Sequence, residues 1–175
     1  MKTRIIKIAL LSIFAFSYIL LAKDDRISKF FEKCSNNQGL TYVNFTPTPA
    51  LIEGMKDKIQ DQEALEMLKN INSVIVLSTK NKSGVNNTSK SVDINVIYND
   101  ALKSLPIDEF EKFLELREGN KEVKMLYKNS KEKSKAREFL MIAKEGDDLS
   151  IIWVEGLIDL KNLSKLSKTL GKGFK

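Results

Sequence analysis

Two apolar runs near the carboxyl end, FLMIA at 139–143 and IIWV at 151–154, flank Glu145-Gly146-Asp147-Asp148. Runs rich in β-branched and aromatic residues, split by a Gly/Asp turn, predict a β-hairpin. Neither run alternates cleanly between apolar and polar. Both faces are therefore expected to be covered, with the hairpin in the middle of a sheet. Upstream, Ile27, Phe30, Phe31 and Cys34 recur at helical spacing and make one apolar stripe on a short helix over 24–34. Residues 40–46 read as a strand, with Val43 and Phe45 on one side and Tyr42 and Asn44 on the other. Thr48 followed by Pro49 opens a helix over 49–59 with Leu51, Ile52, Met55 and Ile59 inward. A second short helix begins at Asp61 with Leu65 and Leu68 inward, and 74–78 is another covered strand.

The polar stretch KNKSGVNNTSKS at 80–91 is a surface loop. The next helix spans 92–105, with Val92, Val96, Leu102 and Leu105 on one face and Pro106 ending it. Residues 108–117 suit either a helical turn or a strand. Glu118-Gly119-Asn120 is a turn. Beyond it, Val123, Met125 and Tyr127 alternate with Lys124, Leu126 and Lys128 as a half-exposed strand. After the hairpin, Asp159 can cap a closing C-terminal helix over 160–170, with Leu160, Leu163, Leu166 and Leu170 as its apolar side. The sum is an α+β fold: a mostly antiparallel sheet of about six strands with helices packed on it.

The N-terminus follows another rule. Residues 1–22 carry Lys2, Arg4 and Lys7, then a 15-residue apolar run interrupted only by Ser12 and Ser17. A spanning helix needs about 20 residues, so this reads as a secretory signal peptide. Residues 23–175 are then a single α+β domain, exported to the periplasm or cell surface. The domain is membrane-anchored only if the signal stays uncleaved. The formal charge of +6 over 175 residues falls to +3 once those three cations are removed with the signal. So small an excess, in an exported protein, argues against a nucleic-acid partner.

Composition also narrows the chemistry. There is no histidine, which removes the commonest general base and zinc ligand. The single cysteine, Cys34, permits no intramolecular disulfide and no cysteine-cluster metal site. Glu32 and Lys33 precede it, so it is not a lipidation site. Ser28-Lys29 and Ser164-Lys165 are neighbours, but adjacent helical residues do not face each other. No loop spaces oxygen ligands as calcium requires, and no glycine-rich loop follows a strand to hold phosphate. No metal or cofactor is expected. Two features stay open. Lys128, Lys131, Lys133, Lys135 and Arg137 cluster as a candidate contact for anions or a membrane surface. Glu155, between Val154 and Gly156 and two residues from Trp153, is a candidate perturbed carboxylate.

The segments KFFEK at 29–33, TYVNFTP at 41–47, the hairpin, and IWVEGLIDLKNLSKL at 152–166 together resemble a Bacteroidota envelope protein family, domain-of-unknown-function family 4252. Its most specific part is the apolar strand followed by Glu155-Gly156 and Ile158-Asp159-Leu160. The resemblance implies an envelope location and supplies no activity, cofactor or catalytic residue. Many members look like lipoproteins with a cysteine straight after the apolar run, and this chain departs from that pattern. The function expected is an exported, non-catalytic envelope domain that binds a protein partner or an anionic membrane surface. The alternatives are a carrier holding a hydrophobic small molecule between helices and sheet, and, ranked last, a hydrolase using carboxylates and lysine.

Overall fold

The structure is a computed structural model that describes residues 25–57, 62–79, 92–132 and 134–161. Six strands form one antiparallel sheet. In chain order they are β1 (Leu40–Phe45), β2 (Ile71–Thr79), β3 (Glu111–Glu118), β4 (Lys121–Asn129), β5 (Lys135–Glu145) and β6 (Asp148–Asp159). Their spatial order is β1-β2-β6-β5-β4-β3. The helices are α1 (Asp25–Ser35), α2 (Pro49–Met55), α3 (Gln62–Lys69) and α4 (Ile94–Ser104), with a 3-10 turn at Ile107–Glu109. This is the expected α+β architecture, weighted towards sheet. The expected closing helix over 160–170 lies outside the described residues beyond Lys161. The loop at 80–91 lies outside them too.

The hairpin forms as its pattern predicts. Glu145 pairs with Asp148 across a turn of Gly146 and Asp147, and Gly146 takes the positive φ of 58° that such a turn demands. β5 and β6 occupy the two central positions of the sheet. Leu140, Ile142, Ile151 and Trp153 point to one face, where they meet Ile27, Phe30 and Phe31 of α1 and Ile97, Tyr98 and Ala101 of α4. Phe139, Met141, Ile152 and Val154 point to the other and form a separate buried cluster with Val74, Val123 and Met125. We call these the helix face and the second face. Period-two alternation sends every second side chain to the opposite side. An uninterrupted apolar run thus requires two cores, and both are present.

β6 is bent near its end, where the register slips against both neighbours. Gly156 sits at this bulge with φ of 153°. A Cβ there would lie 2.4 Å from the Asn70 carbonyl oxygen and 2.7 Å from the Ile71 Cα. The next residue, Leu157, donates its N–H to that same carbonyl at 2.8 Å. Only glycine allows the backbones to come this close.

Several expectations are confirmed and several corrected. The stripe of α1 is buried as spaced, and Thr48 accepts from the Leu51 N–H at the start of α2. Asp159 likewise accepts from the Lys161 N–H. In α2, however, Ile52 is buried while Leu51 is exposed. The inward face of α4 is rotated from the one expected. Asp93 accepts from the N–H groups of Asn95 and Val96, which starts the helix at Ile94. Ile94, Ile97, Tyr98 and Ala101 then face the sheet, and Val96 is 61% exposed. The ambiguous segment 108–117 resolves into the 3-10 turn and β3. β4 is covered rather than half-exposed, because Leu126 joins the helix-face core and Lys128 is buried beside it.

Three outcomes test this account. Trp153 is 2% exposed, and Trp153→Ala should cost about 3–5 kcal/mol in a denaturant titration. Gly156→Ala should lower the melting temperature clearly. Gly54→Ala, in α2 with nothing within 4 Å of the added Cβ, should gain about 0.5–1 kcal/mol, the usual advantage of alanine in a helix.

Candidate functional site

β3 is the edge strand on one side of the sheet. It pairs with β4, and its other side has no neighbour among the described residues. Such an edge presents unpaired N–H and C=O groups. Its side chains divide by face. Lys112, Glu115 and Arg117 lie opposite Leu126, Lys124 and Glu122, and so share the helix face. Leu114 and Leu116 lie opposite Met125 and Val123 and continue the second face outward. A bulge between Lys112 and Leu114 inserts Phe113, whose ring meets Tyr127 edge-on at 6.4 Å. Phe113, Leu114 and Leu116 are 41%, 42% and 37% exposed, an apolar strip that runs from the buried second face onto an open edge.

The helix-face side of the same edge is electrostatically ordered. Glu115 accepts from Lys112 and Lys124, and Arg117 approaches it at 3.3 Å. The hydrogen bond from Lys112, then that from Lys124, hold its carboxyl down to about 2. Glu122 accepts from the Tyr98 hydroxyl at 3.0 Å and pairs with Lys144 at 3.4 Å. The Tyr98 bond pulls the Glu122 carboxyl below its ordinary value. Burial, and then the bond to Glu122, push the Tyr98 phenol up to about 12. The Lys144 ammonium lies 4.9 Å from the centre of the Tyr98 ring. Each charge on this side faces an opposite one, which fixes the edge strand's face as well as its register.

The basic cluster read from the sequence divides in the structure. Lys128 points inward and is 6% exposed. Its ammonium donates to Glu109 at 3.0 Å, lies 3.6 Å from Glu138 and sits 4.5 Å over the Phe110 ring. Glu138 also accepts from the Trp153 indole at 3.3 Å, and Glu109 also accepts from Arg26. These groups tie α1, the 3-10 turn, β4, β5 and β6 into one polar layer at the end of the helix-face core. A cation held there is a structural strut, since removing one partner of a buried pair strands the other. Lys131 and Arg137 are exposed, Lys135 pairs with Glu132 at 2.8 Å, and Lys133 lies outside the described residues. Glu155 is half-buried on β6, across from Ser73 of β2 and Glu138 of β5.

Nothing else gathers into a reaction centre among the described residues. No group of three or more acidic or cysteine side chains could hold a metal ion there. The Ser150 hydroxyl is buried without a hydrogen-bond partner, so no base is in contact to activate it. Cys34 is buried in the α1 stripe, and burial pushes its thiol up, away from the reactive thiolate. No helix of the described residues is long and apolar enough to cross a membrane.

The fold and edge define a six-stranded antiparallel α+β domain with one apolar rim. The chain belongs to the family described as Domain of unknown function (DUF4252), whose model matches residues 32–166. No curated protein and no solved structure matches it. The match takes in every strand and the edge β3.

Sequence reasoning did not single out β3, because 108–117 fitted two elements equally. The signal was present in Leu114-Glu115-Leu116-Arg117, where apolar and charged residues alternate with a strand's period.

The Glu115 shift sets a pH dependence. Its carboxyl titrates near 2 in the fold against an ordinary 4.5, so the ionised form favours folding. That contribution is complete above about 4.5 and is lost as pH falls towards 2. Glu115→Gln should therefore be less stable than the parent near neutral pH, and urea titrations of the two should converge near pH 2.

Proposed function

We propose that this chain is an exported, non-catalytic domain of the cell envelope that binds a protein partner along the β3 edge. The observation that carries the reading is the strip of Phe113, Leu114 and Leu116, left exposed on a strand whose outer side has no neighbouring strand among the described residues. Strand addition to such an edge draws affinity from the backbone and specificity from alternate side chains. The signal-like segment at 1–22 supports export. An anionic lipid surface is the weaker partner. Lys112, Lys121, Lys124, Lys128, Lys135 and Lys144 each have a carboxylate within reach, so little unpaired positive charge faces outward from the sheet.

A photo-crosslinking residue placed at position 116 in living cells tests this. It should give a discrete adduct with an envelope protein. The same residue at position 96, exposed and apolar but isolated on α4, should give none. Equal labelling from both positions, or none from 116, would overturn the assignment.

A further inference from the structure

We propose that the partner of the β3 edge is a second copy of this chain, joined antiparallel through β3 with Leu116 on the two-fold axis. The inference rests on the reading of β3 as the binding edge and names its occupant.

The argument is one of register. Joining two sheets edge to edge about a two-fold axis normal to the sheet keeps each face continuous. Residues directly opposite must then come from the same face. Because faces alternate along a strand, the axis must pass through a residue and not between two. Five residues of β3 past the bulge are available. An axis at Glu115 or at Glu118 sets that carboxylate against its own copy, and an axis at Arg117 sets two guanidinium groups together. An axis at Leu114 draws the bulged Phe113 and Lys112 into the pairing and breaks the alternation. An axis at Leu116 has neither fault. Glu115 then lies opposite Arg117 of the second copy, and Arg117 opposite its Glu115, both on the helix face. On the second face Leu116 meets Leu116, and Leu114 lies across from Glu118. Two opposite-charge pairs and one apolar pair are what stabilise an antiparallel junction.

The same charges that usually protect an edge thus become self-complementary here. Lone charges of one sign on an edge strand repel a copy of themselves. Glu115 and Arg117 are of opposite sign two residues apart, and inversion of the strand brings each to the other. The exposed strips of the two copies become one apolar band bounded by the buried second faces.

The protein purified as its host processes it should sediment at twice the mass of its chain. Leu116→Cys should be trapped as a disulfide-linked dimer by a mild oxidant, because cross-strand partners at an axis bring their Cβ atoms within bonding reach. Leu114→Cys, which faces Glu118, should not be trapped. Native Cys34 is buried and adds no background. Arg117→Glu should weaken the dimer at least about tenfold by setting like charges opposite. Mixing Arg117→Glu with Glu115→Arg should restore association that neither shows alone, provided circular dichroism shows both folded. If Glu115→Arg does not fold, the Leu116→Cys and Leu114→Cys comparison decides alone. A monomer at the highest soluble concentration, with the position-116 adduct formed to a different protein, would overturn self-pairing and leave the binding edge standing. A monomer with no adduct would remove both. A dimer that Leu114→Cys traps as readily as Leu116→Cys would place the contact elsewhere and overturn the register.

Discussion

The β5–β6 hairpin has no side that can face water. Four consecutive apolar residues in each strand must be covered both above and below the sheet, and the elements around the hairpin do it. β2 and β4 flank the pair and α1 and α4 lie across the helix face. The second face holds its own cluster. Two cores on one sheet make its centre rigid, because neither face can relax without disturbing the other. They also explain Gly156. Just beyond Val154, β6 shifts register against both β2 and β5, and the bulge there needs a backbone approach to Asn70 and Ile71 that any side chain would block.

Much of this was legible in the sequence, for a physical reason. The hairpin, the α1 stripe and the Asp159 cap are local patterns, and local patterns are set by the spacing of a few neighbouring residues. What escaped was decided by distant parts of the chain. Lys128 looks like an exposed lysine in a basic stretch, yet Glu109 and Phe110 from the 3-10 turn and Glu138 from β5 converge on it. β4 read as half-exposed because its second set of residues, Lys124, Leu126 and Lys128, is mostly charged. Those charges are neutralised across strands, so the face can close. In α4 the Asp93 cap sets where the helix starts, and the buried face is Ile94, Ile97, Tyr98 and Ala101, a set whose tyrosine and alanine are weaker apolar signals than the leucines and valines of the expected face.

The polar layer around Glu138 shows how a mixed interface holds a fold in one arrangement. Trp153 fills the helix-face core with its ring and gives its indole N–H to the same carboxylate that Lys128 approaches. A tryptophan buried without a partner for that N–H would lose a hydrogen bond to water. Glu138 supplies it and is itself compensated by Lys128, whose ammonium also reaches Glu109. The aromatic core and the ion pairs therefore constrain each other. The layer joins the start of α1 to the sheet, which an apolar contact alone would allow to slide.

A sheet sealed at its centre has few places left to act. Among the described residues both faces carry buried cores, no acidic or cysteine cluster could hold a metal ion, and the lysines of the sheet mostly have a carboxylate within reach. What remains is the rim. The two edges are not equivalent. At β1, Leu40 is buried and α1 packs against the strand, leaving Val43 as a single exposed apolar residue. At β3 no helix among the described residues is a principal packing partner, three large apolar residues are exposed together, and the charges on the other face alternate in sign. A strand that is both greasy and self-complementary in charge is poorly protected against its own copy. The conflict between that exposure and the thorough burial elsewhere is the feature of this chain that a purely structural role does not explain, and the proposed pairing along β3 would resolve it.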